Sequence, residues 1–178
     1  MKSATHWQPL QRRLVPTELI PWITERGSLT RRLEHSNQYP FSVQLVNNRW
    51  VCPLADESHV LDIASTELVY QREVRLMDGE QANVYARTIV PRATFMVMQS
   101  RFDNLGNTSL GELLFTDPTV ERGDIEVACL KPGQCLYEMA LLDEQERPYE
   151  LWARRSLFYL SGKKLLVNEI FLPTLIWS

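Results

Sequence analysis

Cysteine is scarce in this 178-residue chain: Cys52, Cys129 and Cys135 are an odd number with no Cys-x-x-Cys among them. That excludes a disulfide framework and a zinc knuckle, and the three read as small core or strand residues in a reducing compartment. Histidine is equally thin. His6, His35 and His59 share no ligand spacing, so no metal centre is expected. The glycines between Asn104 and Gly111 do not follow a strand with phosphate-loop spacing, which removes a nucleotide-phosphate cradle from the possibilities. No apolar run is long enough for a membrane span, and no apolar signal core follows Met1 to His6, so a cytoplasmic protein is expected. Basic charge is not in excess either. A formal net charge of −3 argues against a surface for nucleic acid or anionic lipid.

What is present is ordinary globular material, 44% apolar and 23% charged, enough for one domain over residues 1–178. The chain is organised around Leu68 to Pro91, where two β-rich runs flank Asp78-Gly79. That dipeptide suits a two-residue type I′ turn, which needs φ > 0 at both central positions. Alternation places Leu68, Tyr70, Arg72, Val74 and Leu76 on one face, with Arg72 in the middle of an apolar stripe. If Asp78 and Gly79 are the loop, Arg72 faces Tyr85 and Arg87 faces Tyr70, making the two arginines diagonal neighbours on one face. A loop longer by one residue breaks that parity. Two guanidiniums on such a face call for anions, either a bidentate carboxylate ligand or local acids such as Glu73 or Glu67, unless one of them simply faces water.

Before this hairpin, Thr17 can cap a helix from Glu18 with Leu19, Trp22 and Ile23 inward, ended by Gly27. Ser28 caps a second, Leu29 to His35. Phe41 to Val46 and Arg49 to Cys52 read as a hairpin turning at Asn47-Asn48, and Leu54 to Thr66 as a connection with a helical turn. After the hairpin, Thr94 to Phe102 suits a helix with Phe95, Met98 and Phe102 inward, and Glu112 to Phe115 a helical turn. Asp124 to Leu130 and Gln134 to Leu142 read as strands around Lys131-Pro132-Gly133, with a polar tip at Asp143 to Pro148. Glu150 to Leu160 alternates around Trp152 and Phe158, Ser161-Gly162 turns the chain, and Leu165 to Leu172 is a final strand.

In that last strand Leu165, Val167, Glu169 and Phe171 share a face, so Glu169 points where its neighbours are apolar. A carboxylate there must be paired or protonated, and an arginine of the core is the plain partner. The pattern as a whole predicts an α+β domain built on one antiparallel sheet. The last strand can then lie beside the central hairpin and bring Glu169 towards Arg72 and Arg87.

Several segments, in order, resemble the bacterial chorismate pyruvate-lyase family, which makes 4-hydroxybenzoate for ubiquinone. They are Ser28-Leu29-Thr30-Arg31-Arg32, Arg72-Glu73 with Asp78-Gly79-Glu80, and Ala86-Arg87-Thr88-Ile89-Val90-Pro91. Leu110-Gly111, Leu114-Phe115-Thr116, Leu151-Trp152-Ala153-Arg154-Arg155-Ser156 and Ser161-Gly162-Lys163 through Pro173 complete the set. The resemblance implies an antiparallel sheet with the ligand enclosed beneath helical flaps. It implies that Arg72 and Glu169 bind the two ends of the aromatic product, that Leu29 and Leu110 contact it, and that Arg87 is the second active-site arginine. It further implies a cofactor-free elimination of pyruvate from chorismate, with no metal and no nucleic acid, by a protein expected to be a monomer. Asp124 to Tyr149 is longer than in the compact members. A second reading keeps the same Arg and Glu grips without turnover, in a small-molecule-sensing domain of the kind attached to bacterial transcription regulators.

Overall fold

A computed structural model describes residues 4–106, 108–142 and 147–177. Its frame is one antiparallel sheet of seven strands: β1 (Gln8–Pro9), β2 (Phe41–Val51), β3 (Val69–Asp78), β4 (Gln81–Pro91), β5 (Val120–Leu130), β6 (Leu151–Leu160) and β7 (Lys163–Phe171). The spatial order is β1-β5-β6-β7-β4-β3-β2, so the last strand docks against the central hairpin and the sheet's middle is β6-β7-β4-β3. This is the α+β architecture the sequence pattern predicts.

Helices cover both faces. On one lie α1 (Ile20–Ile23), α2 (Leu29–Ser36), α4 (Arg92–Asp103) and α5 (Leu110–Thr116); on the other lie α3 (Ala55–Leu61) and α6 (Cys135–Ala140). Covering both sides explains why β4 is buried at every position after Gln81 instead of alternating between core and water. The local signals are readable. Ser28 accepts a hydrogen bond from the Arg31 backbone N–H at 3.3 Å, capping α2, and Leu29 and Leu33 then pack one turn apart in the core. In α4, Met98 and Phe102 are buried with Phe95 packed against them, the stripe expected. Ser161 and Gly162, at φ +50° and +73°, close the β6–β7 hairpin.

Three local expectations need correction. Asn47-Asn48 does not turn the chain: β2 runs unbroken for eleven residues, with a bulge between Leu45 and Asn47 absorbing the irregularity. Residues 135–140 are α6, not a strand, because Leu136, Tyr137, Ala140 and Leu141 bury one helical stripe against the sheet. The loop of the central hairpin is Gly79-Glu80, since Asp78 pairs with Gln81, and only Gly79 takes a positive φ, of +58°. Asp78 instead accepts the Gln38 and Tyr39 backbone N–H groups, at 3.0 and 2.6 Å. A bulge follows beside Leu76, so Arg72 faces Thr88 and Glu73 faces Arg87. The polar tip expected at Asp143 to Pro148 lies outside the described residues over 143–146. The longer segment before it, including α6, covers the face opposite α2 and α5.

Cysteine chemistry divides along the same lines. Cys52 is exposed, against expectation, whereas Cys129 is half-buried and donates to Glu150 Oε2 at 3.3 Å. Burial, then the Glu150 carboxylate, pushes the Cys129 thiol up to about 11. At pH 8 iodoacetamide should therefore modify Cys52 well before Cys129, because the thiolate is the reacting form. Peptide mapping after partial labelling checks this, and first labelling at Cys129 would count against it.

Candidate active site

Arg72 sits mid-strand on β3 and is buried to 4% exposure. Its Nη2 donates to the backbone carbonyls of Gly106 (2.7 Å) and Thr108 (3.0 Å), between α4 and α5. No described carboxylate forms an ion pair with it, and burial holds its pKa below the ordinary guanidinium value. A buried cation neutralised only by carbonyl dipoles is set up to receive an anion.

On β7, Glu169 lies on the same face of the sheet. Its β4 partner is Ala86 and its β6 partner is Arg154, while Val167 pairs with Thr88, the residue facing Arg72. Arg72 and Glu169 line one cavity, floored by Thr88 and Val167 and roofed by Leu29, Thr30, Leu110 and Leu114. Glu169 Oε2 accepts a hydrogen bond from Arg154 Nε at 2.5 Å, so the core arginine foreseen as its partner is present. Arg154 Nη1 donates to the carbonyls of Trp22, Ile23 and Glu25, tying β6 to the α1–α2 turn.

Arg87 is elsewhere. The shifted register puts it on the opposite face, paired with Glu73 on β3 and Asn168 on β7, and it does not line the cavity. Its Nε and Nη2 bond Glu57 of α3 at 2.7 and 3.0 Å, and its Nη1 bonds Glu73 at 2.7 Å. Burial alone would lower its pKa, but the two carboxylates carry it above the ordinary value. The local-acid alternative, with Glu73 as partner, describes Arg87; it does not describe Arg72.

The roof is two helical pairs, α1–α2 and α4–α5, joined where Thr30 Oγ1 donates to Ser109 Oγ at 2.9 Å. Beneath it the cavity is about 40 Å³. An aromatic ring needs more, since a cavity that accepts benzene is roughly 150 Å³. The space as it stands is smaller than a ring-sized ligand.

The family model for chorismate lyase matches residues 1–178. The chain belongs to the chorismate lyase family. It is 41% identical over 164 residues to a probable chorismate pyruvate-lyase of Aromatoleum aromaticum, covering 91% of this chain and 88% of that one. It is 40% identical over 176 residues to probable chorismate pyruvate-lyase 2 of Pseudomonas fluorescens, covering 97% and 92%. Among solved structures, the effector domain of PhnF from Mycobacterium smegmatis is similar in fold, with TM-score 0.54 at 12% identity over 83% of this chain and 90% of that one. The C-terminal domain of the histidine utilization repressor from Pseudomonas syringae has TM-score 0.57 at 8% identity, covering 75% and 92%. At those identities the likeness shows the fold alone.

Two further arginines that the sequence reading did not single out stand beside Glu169: Arg122, which lines the cavity, and Arg154, which bonds the Glu169 carboxylate without lining it. Arg154 shares parity with Trp152 and Phe158 on β6, so alternation alone could have found it. Arg122 on β5 faces Phe158, but an irregularity between Arg122 and Ile125 hides its face from any period-2 count.

Proposed function

We propose that this protein converts chorismate to 4-hydroxybenzoate and pyruvate, the committed step that supplies the ubiquinone ring, and does so in the cytoplasm. The observation that carries the reading is Arg72: a buried guanidinium with no described carboxylate partner, sharing a cavity with Glu169. Chorismate is a cyclohexadiene ring with a carboxylate at one end and, at the other, a hydroxyl on the tetrahedral carbon next to the one that bears the enolpyruvyl ether. Arg72 takes the ring carboxylate, Glu169 takes the hydroxyl, and Leu29 and Leu110 pack against the ring. The C3–O bond to the enolpyruvyl group breaks, the C4 hydrogen leaves, and the ring gains the double bond that makes it aromatic. That proton reaches the enolpyruvyl methylene, directly or by way of a base, so pyruvate forms with no electron acceptor required. The protein's share is to hold the reactive conformer dry and to place charge beside it.

Pure protein incubated with chorismate should release pyruvate and 4-hydroxybenzoate in equal amounts, followed by lactate dehydrogenase coupling and by chromatography. Tight binding of 4-hydroxybenzoate without pyruvate release would defeat the enzyme reading and leave a sensor.

A further inference from the structure

Chorismate carries a second carboxylate, on the enolpyruvyl group at ring carbon 3, next to the carbon that bears the hydroxyl. If Glu169 meets the hydroxyl, the second cation must stand beside Glu169. Arg87 is on the other face. Arg154 is beside Glu169, but its Nε is bonded to that carboxylate and its Nη1 to three carbonyls, with 1% of the residue exposed. Arg122 differs. It lines the cavity, and its Nη2 stands 3.9 Å from Glu169 Oε2, beyond hydrogen-bond reach.

We propose that Arg122 is the substrate-binding residue that grips the enolpyruvyl carboxylate; this rests on reading the cavity as a chorismate site. Arg122 is held for the task. Nε donates to Ser156 Oγ at 3.1 Å, and Nη1 donates to the carbonyls of Glu25 and Arg26 at 3.1 and 3.2 Å. Its guanidinium lies over the rings of Phe115 (5.8 Å) and Phe158 (5.4 Å), which wall that side. Among the described residues no hydrogen bond engages Nη2, so the unused edge of the fork is the one nearest Glu169. Burial, then neighbouring Arg154, brings the guanidinium down to about 10, so it is still a cation at neutral pH and one that an added anion would stabilise. When the C3–O bond breaks, its electron pair becomes the carbonyl of pyruvate, and Arg122 stays on the departing carboxylate throughout. Its contacts with Glu25 and Arg26 also set the α1–α2 turn against that end of the substrate.

The test uses Arg122→Met, which keeps the apolar stem, with Arg122→Lys alongside. Two unreactive probes are titrated: 4-hydroxybenzoate, and its 3-carboxymethoxy derivative, which adds a carboxylate beside the hydroxyl. Arg122→Met should bind the derivative roughly tenfold or more weakly, the scale of one lost charge-assisted hydrogen bond, while binding 4-hydroxybenzoate nearly as the wild type does. Its kcat/KM for chorismate should fall in step with the derivative's affinity, and Arg122→Lys should lie between. Equal losses for both probes, or none, in folded variants would overturn Arg122's role while a wild type that turns over chorismate leaves the site reading standing. A wild type that binds neither probe and releases no pyruvate would overturn both. Should the Met variant not melt cooperatively, the Lys variant decides: indifference to the added carboxylate in the lysine variant also overturns the proposal.

Discussion

Replacing Arg72 with methionine should lower kcat/KM for chorismate by roughly 10- to 100-fold, the value of a charge-assisted hydrogen bond made in a dry site, and weaken 4-hydroxybenzoate by a similar factor. The fold should survive. Arg72 has no described carboxylate to leave behind, only the carbonyls of Gly106 and Thr108 next to a surface loop. Removing the guanidinium also ends the cost of holding a cation at 4% exposure, and methionine keeps the packing of the stem. Thermal midpoint and product affinity should therefore separate, the first little changed and the second much reduced. Glu169→Gln should weaken product binding too, but with a lower melting point, because it strips Arg154 of its only described carboxylate. A folded Arg72→Met protein with wild-type affinity and turnover would sink the assignment of the ring carboxylate.

That contrast between arginines was half legible in the sequence. Period-2 alternation placed Arg72 and Glu169 each on an apolar face, and the antiparallel pairing of β4 with β7 then brought those faces together. Alternation is a local property and survives as long as a strand is regular. What it could not supply was relative parity between strands, which depends on the turn and on every bulge between. The loop fell one position later than Asp78-Gly79, which slides the partners but keeps their parity; the bulge by Leu76 then added the single-residue offset that put Arg72 and Arg87 on opposite faces. The same kind of event hid Arg122 behind the irregularity before Ile125. Residues 134–142 failed for another reason: Tyr137, Met139 and Leu141 alternate as well as Leu136, Tyr137, Ala140 and Leu141 repeat. A run that short carries both periods, and packing against the sheet chose the helix.

The position of Arg87 turns an expected catalytic variant into a stability experiment. Glu57 is wholly buried and Glu73 nearly so, and Arg87 is the cation that bonds both. Beside them Tyr85 is buried and its hydroxyl is pushed well above its ordinary pKa, first by burial and then by Glu73. Arg87→Met would leave two carboxylates in that space with the Asn168 amide, 3.3 Å from Glu57 Oε1, and the Tyr85 hydroxyl beside Glu73 as neutral side-chain donors and no cation in Arg87's place. Breaking one side of a buried ion pair costs roughly 3–5 kcal/mol. For a chain of this size each kcal/mol moves the melting point by about 2–4 °C, so a fall of roughly 10 °C is expected. Adding Glu57→Gln and Glu73→Gln should recover part of it, because neutral amides tolerate burial where orphaned carboxylates do not. Below the melting transition the single variant should bind 4-hydroxybenzoate as the wild type does, since the sheet lies between Arg87 and the cavity. A variant that melts with the wild type yet loses turnover of chorismate would reverse this reading and return Arg87 to the chemistry.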